Sequence, residues 1–422
     1  MEHVSIEPGQ TPRAADQPFD IEKIRADFPI LSREVYGKPL VYLDNGASAQ
    51  KPKAVLEAVQ RAYESEYANV HRGLHYLSNL ATANYEKARE TVRRFVNARE
   101  EAEIIFTRNA TEAINLVAQS FGGQAIGEGD EIVLTIMEHH SNIVPWHFHR
   151  ERNGAVLKWA PVTDEGVLDL EAFEALLSPR TKMIAVPHIS NVLGTVVPVK
   201  QIVAMARERG IPVLVDGAQG AVHLPVDVQD LDCDFYVFTG HKVYGPTGIG
   251  VLYAKREHLE AMPPYQGGGE MIEAVACDTI TYGDPPHRFE AGTPAIVQAQ
   301  GLAAALDYMM DIGLDRIKAY EDTVCEYAHQ RLREINSLRI FGTAPGKSGI
   351  ISFEMEGAHA HDISTIIDRS GVAVRAGTHC AEPLLDRFGV TSTCRASFAM
   401  YNTIEEADAL AEALLKARDF FS

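Results

Sequence analysis

From about residue 100 the chain alternates short apolar runs with segments of helical spacing, and no other feature constrains its fold as much. "EIIFT" precedes "TEAINLVAQSF", "DEIVLTI" precedes "NIVPWHFHRERNG", and "TKMIAVPHI" precedes "VKQIVAMARERG"; "IPVLVD", "DFYVFTG" and "GIGVLYA" follow. A strand with one wet face alternates apolar and polar residues. These runs are apolar nearly throughout and are bounded by Gly, Asp or Pro. They suit strands covered on both faces by helices, so the expected architecture is α/β with a mostly parallel sheet. Functional groups in such sheets gather at the carboxyl ends of strands.

Upstream, "KPKAVLEAVQRAYESEY" and "NYEKARETVRRFVNA" read as helices, and the Gly/Pro-rich stretch from "PPYQGGGE" to "YGDPPHRFEAGTP" reads as ordered loops. Beyond it come the long helical segments "AIVQAQGLAAALDYMMDIG" and "LDRIKAYEDTVCEYAHQRLREI". Three strands, "GIISFEM", "VAVRA" and "CRASFAM", then precede the closing helix "TIEEADALAEALLKARDFF". The expected organisation is a loose tail over 1–20, a large α/β unit over 35–297, and a smaller α+β unit made of 21–34 with 298–422.

The 422 residues suffice for two or three units, each with its own core. A net charge of -19, spread along the chain, repels phosphate backbones and anionic lipid, which argues against nucleic acid or a membrane surface as partner. The five cysteines, Cys233, Cys277, Cys325, Cys380 and Cys394, are far apart and form no C-x-x-C pair. That excludes a disulfide frame and a structural zinc site, and fits a reducing compartment. The polar start has no apolar leader and no run is long enough to span a bilayer, so a cytoplasmic protein is expected.

At the strand ends stand groups that carry chemistry. "VLVDGAQG" delivers Asp216, with Gln219 three residues on; alone, Asp216 reads more readily as a turn cap. "FYVFTGHKVYGPTGIG" delivers Thr239, His241 and Lys242 into a glycine-rich turn, although a lone lysine there is commonly a surface charge. "RNATEAINLV" opens a helix at Asn109, Ala110 and Thr111, either a cap or a seat for an anion. "MEHHSNIVPWHFH" holds four histidines, but His147 and His149 are two apart, the wrong spacing for a helical zinc pair. His139, at a strand end, is placed to lie flat on an aromatic cofactor. His140, His147 and His149 read as packing or surface residues. In "VRAGTHCAEP", Cys380 sits near Arg375 and just before a helix start at Glu382-Pro383, where positive charge and free N–H groups favour a thiolate.

One ligand accounts for these groups together: a phosphate for Thr111, Thr239 and His241, a ring nitrogen that wants a carboxylate, and an aldehyde that a lysine captures. That ligand is pyridoxal 5'-phosphate (PLP), with Lys242 as its Schiff-base partner and Asp216 keeping the ring nitrogen protonated.

The stretches "VLVDGAQ", "FYVFTGHKVYGPTGIGVLY", "EHHSNIVPW", "SNVLGT", "RFEAGTP", "VRAGTHCAEP" and "CRASFAMYNT" resemble the cysteine desulfurases of the SufS type, within the class V aminotransferases of fold type I, from about residue 20 to the C-terminus. The resemblance implies a seven-stranded, mostly parallel sheet, with catalytic roles for Lys242, Cys380 and His139. It implies cofactor contacts from Asp216, Gln219, His139, Ala110, Thr111, Thr239 and His241, with Thr293 reaching the partner's site in a homodimer. Arg395, Arg375 and Asn191 would bind the carboxylate of L-cysteine, with His71 and Arg72 of "NVHRG" approaching the neighbouring site. The implied activity converts L-cysteine to L-alanine, holds sulfur as a persulfide on Cys380, and passes it to an acceptor of the SufE or SufU type for an iron–sulfur scaffold complex. No metal is implied. Selenocysteine lyase, cysteine sulfinate desulfinase and a PLP-binding scaffold protein are the rival readings. Many relatives have Ser at Thr239 and His at Thr378. Cys233, Cys277, Cys325 and Cys394 are expected to be structural.

Overall fold

The computed structural model describes residues 19–421. Seven strands form the main sheet: β1 (Ile104–Thr107), β2 (Glu131–Thr135), β3 (Val156–Ala160), β4 (Thr181–Pro187), β5 (Val213–Asp216), β6 (Phe235–Thr239) and β7 (Gly250–Ala254). Their order is β1-β7-β6-β5-β4-β2-β3. All neighbours from β3 to β6 pair in parallel, and β7 runs antiparallel between β6 and β1. Every residue of β1, β2, β5, β6 and β7 is buried, which is why these strands read as unbroken apolar runs. The edge strand β3, "VLKWA", is exposed at its start and half-buried along most of its length, so its mixed pattern gave no strand signal.

The stretch expected to be loops carries a hairpin of β8 (Ile272–Val275) and β9 (Ile280–Tyr282), with exposed side chains along almost its whole length. Cys277 lies in its turn and is exposed, which corrects its structural assignment; Cys233, Cys325 and Cys394 are buried.

A second sheet is antiparallel, in the order β10 (Leu338–Phe341), β11 (Ile350–Met355), β13 (Thr393–Ser397), β12 (Arg375–Gly377). The helices Leu314–Arg333, Ala360–Asp368 and Ile404–Phe421 bury it in a core separate from that of the main sheet. "VAVRA" is two strands: Val372–Ala373 pairs in parallel with Val41–Tyr42, and β12 joins β13. Ile24, Phe28 and Leu31, expected with the small unit, pack in the main core, while Val41 and Leu43 join the second one. Residues 1–18 of the expected tail lie outside the described residues. Phe19 stacks on Tyr320 at 4.2 Å, and the Asp20 carboxylate accepts from Lys23 N to cap the helix Ile21–Ala26.

Candidate active site

The carboxyl ends of β1, β2, β4, β5 and β6 converge on a cavity of about 240 Å³, closed on one side by the second sheet. Ala110, Thr111, His139, Asn191, Asp216, Gln219, Thr239, His241, Lys242, Arg375, Cys380 and Arg395 all line it. Thr293, His71 and Arg72 lie outside it within a single chain. Thr293 lines a separate cleft with Arg108 and Glu112, His71 pairs with Glu86 at 2.7 Å, and Arg72 pairs with Glu270 at 3.1 Å.

Burial pulls the Lys242 amine down to about 8, against the opposing charge of Asp216. The Asp216 carboxyl is pushed above its ordinary range by its own burial, opposed by an Ala218 N–H donated at 2.9 Å. The His139 ring is held down to about 3 by burial and the charge of Lys242, so it is neutral. Ser141 N donates to its Nδ1 at 3.1 Å, which leaves the proton on Nε2. His241 is likewise held down to about 4. Asn109, not Thr111, caps the helix that opens here, accepting from Glu112 N at 2.9 Å; the Thr111 side chain is free of that duty. Gln219 Nε2 donates to Gly46 O at 2.8 Å.

PLP fits these groups. Thr239 Oγ1 is buried without a hydrogen-bond partner, an arrangement that a phosphate oxygen would satisfy. An amine and a carboxyl face the same cavity from adjacent strand ends.

The carboxylate-binding candidates are built into the second sheet. Arg375 on β12 and Arg395 on β13 are cross-strand partners, so two like charges stand side by side. Asp44 bridges them: Arg375 donates through Nε at 3.0 Å and Nη2 at 2.9 Å, and Arg395 Nη2 lies 3.6 Å away. Arg395 is almost fully buried, donates to Asn191 O at 3.0 Å, and leaves its Nε unpartnered. The Asn191 side chain turns away from that arginine and donates to His379 O at 2.8 Å.

Cys380 is exposed at the cavity mouth, and both it and His379 have left-handed backbone, φ 56° and 53°. Side chains disfavour that region, so two such residues in succession need external support. His140 N donates to Cys380 O at 2.8 Å, Asn191 holds His379 O, and His379 Nε2 meets Thr393 Oγ1 at 2.9 Å. His140, expected to be a bystander, also pairs with Glu382, the first residue of the helix Glu382–Phe388. His147 pairs with Glu151, and buried His149 bonds Ala118 O at 2.7 Å. Sequence reasoning also missed Asp44. "VYLD" ends in an aspartate after apolar residues, as "VLVD" does, and that pattern was available as a signal.

A mostly parallel sheet with a lysine and an aspartate meeting at its strand ends is the architecture of a fold type I PLP enzyme. The aminotransferase class V model matches residues 41–410, and the chain belongs to that family. It is 50% identical over 403 residues to a probable cysteine desulfurase of Halalkalibacterium halodurans, covering 96% of this chain and 99% of that one. Among solved structures it is similar to the cysteine desulfurase CsdA of Escherichia coli (S-sulfonic acid form; TM-score 0.90, 40% identity, 96% of this chain and 100% of that chain). It is also similar to a C-DES variant with glycine covalently linked to its PLP cofactor (TM-score 0.80, 25% identity, 92% and 98% covered). Among the described residues no helix is long and apolar enough to cross a membrane.

Proposed function

We propose that this chain is a PLP-dependent cysteine desulfurase that moves sulfur from L-cysteine onto Cys380 and leaves L-alanine. One observation carries the reading: the Lys242 amine and the Cys380 thiol face one cavity, with two arginines beside them. PLP, when bound, supplies an aldehyde for an amine and a ring that accepts electrons.

The chain's own residues do the rest. Lys242 Nζ, with its proton affinity lowered by burial, is free enough near neutral pH to hold the cofactor and to take the substrate α-proton. Asp216 would keep a proton on the ring nitrogen, Thr239, His241, Thr111 and the Ala110 N–H would seat the phosphate, and Gln219 would meet the ring oxygen. Neutral His139, with its proton on Nε2, would stack on the ring. Arg395 and Arg375 fix the substrate carboxylate, with Asn191 locking Arg395 to the Cys380 loop. Cys380 as thiolate then bonds to the substrate sulfur as the C–S bond breaks. The electron pair stays on carbon and, with a proton, gives alanine.

The persulfide passes to an acceptor protein of the SufE or SufU type that serves an iron–sulfur scaffold complex in the cytoplasm. A homodimer would bring Thr293, His71 and Arg72 to the neighbouring cavity. The test is direct. Borohydride should fix a yellow chromophore to Lys242, and Cys380→Ala should abolish persulfide formed from cysteine. Persulfide retained on another cysteine would overturn the assignment. Alanine release from selenocysteine and cysteine sulfinate, with and without Cys380, separates the lyase and desulfinase readings.

A further inference from the structure

Directly before His139 lies a carboxyl that the mechanism above does not use. Glu138 is fully buried, at the turn leaving β2. Its Oε1 accepts from Thr135 Oγ1 at 2.7 Å and Thr135 N at 3.2 Å, and its Oε2 accepts from Asn142 Nδ2 at 2.7 Å. Asn142 in turn accepts from Trp146 Nε1 at 3.1 Å. Every side-chain oxygen in this chain of contacts is used, and the chain spans the turn from both ends. A buried carboxyl is costly, but here it accepts on both sides, which a neutral amide with its single oxygen does not do. Burial pushes the Glu138 carboxyl up to about 8.

We propose that Glu138 is a positioning residue for the cofactor ring, fixing the turn that presents His139. The inference rests on the PLP reading. It implies that the ring's fit depends on a group that touches neither cofactor nor substrate. Cofactor binding and orientation should therefore respond to Glu138 separately from folding.

The experiment titrates apo-protein with PLP by fluorescence, records circular dichroism in the cofactor's visible band, and measures thermal unfolding. Glu138→Gln should weaken PLP binding roughly tenfold and change the visible dichroism, because its amide meets the Asn142 amide donor-to-donor. The swapped double variant Glu138→Gln with Asn142→Asp re-forms that hydrogen bond and should restore the dichroism. If Glu138→Gln fails to fold, Thr135→Val removes one donor at constant shape and should shift both readouts in the same direction, by less. Wild-type PLP affinity and dichroism in whichever of these variants folds, whatever its melting temperature, overturn the inference. A wild-type protein that takes up no PLP overturns the proposed function instead.

Discussion

Replacing Asp44 with asparagine tests the electrostatic design of the carboxylate clamp. Arg375 and Arg395 are cross-strand neighbours, and Asp44 is the counter-charge common to both. The Arg375 contact is half-exposed and worth little. Arg395 is different, because it is almost fully buried and its own affinity for a proton is pulled down to about 10 by burial. At 3.6 Å and an effective dielectric constant of about 20, its attraction to Asp44 is about 4–5 kcal/mol before desolvation. Removing one member of a buried pair typically costs about 3–5 kcal/mol. Asparagine keeps the acceptor oxygen and loses only charge, so the lower end applies. Spread over 422 residues, about 3 kcal/mol lowers the melting midpoint by roughly 3–4 °C.

The substrate carboxylate is proposed to sit on the same arginines, and it can replace the missing charge. Saturating L-alanine should therefore raise the melting midpoint of PLP-loaded Asp44→Asn by more than it raises that of the PLP-loaded wild type. Differential scanning calorimetry with and without alanine reads both effects. Asp164→Asn, which breaks the exposed Arg387 pair, serves as control and should change neither. If Asp44→Asn melts with the wild type, Asp44 does not offset the arginine pair. If alanine stabilises both proteins equally, the carboxylate does not bind there.

Three further outcomes are expected. His139, His188, His241, His329 and His379 are all held well below the ordinary histidine value, chiefly by burial. The unfolded chain protonates them near pH 6.5 and the folded chain does not, so their contribution to apo-protein stability is full above that pH and falls as pH drops toward 3–4, by roughly 1 kcal/mol per pH unit per histidine; the fewer buried carboxyls held above their ordinary range, Glu138 at about 8 with Asp216, Glu321 and Glu406, oppose this. Urea midpoints that rise between about pH 6.5 and 5.5 would refute it. Thr239→Val removes a buried hydroxyl with no protein partner, so apo stability should hold while PLP affinity falls roughly tenfold; equal affinity by fluorescence titration would remove Thr239 from the phosphate seat. Iodoacetamide followed by peptide mass spectrometry should label Cys380 and Cys277 and spare the other three cysteines, since the Cys233, Cys325 and Cys394 thiols are buried and pushed up to about 12, 11 and 12; labelling of any of these three in folded protein would contradict their burial.

The main sheet was legible because a parallel strand covered on both faces leaves an apolar run that needs no context. β3 was not, because an edge strand is half-exposed and its Lys158 is used to pair with Glu131. The site was legible where its residues end strands: Asp216, Thr239, Lys242 and His139 follow β5, β6 and β2 within a few positions. Asp44 and Glu138 escaped for different reasons. Asp44 matters only because the chain returns about 330 residues later to set Arg375 beside it, and the role proposed for Glu138 rests on a complete burial that the polar run "MEHHSN" does not display. Neither relation leaves a local trace in the sequence.

The same non-local contacts bear on sulfur transfer. Cys380 follows the end of β12 by three residues, and its loop is pinned at consecutive carbonyls, by Asn191 at His379 and by His140 at Cys380. Asn191 also accepts from Arg395, and His140 follows His139, so the pins are continuous with the walls of the substrate and cofactor sites. Swinging the thiol outward would break both hydrogen bonds and release two left-handed residues whose conformation they support. A loop so held would keep the sulfur at the cavity mouth, so on the proposed reading an acceptor's thiol would have to come to it. Thr378 precedes the pinned pair, and its carbonyl accepts from Ala381 N at 3.1 Å. The backbone turn therefore forms without an imidazole at that position.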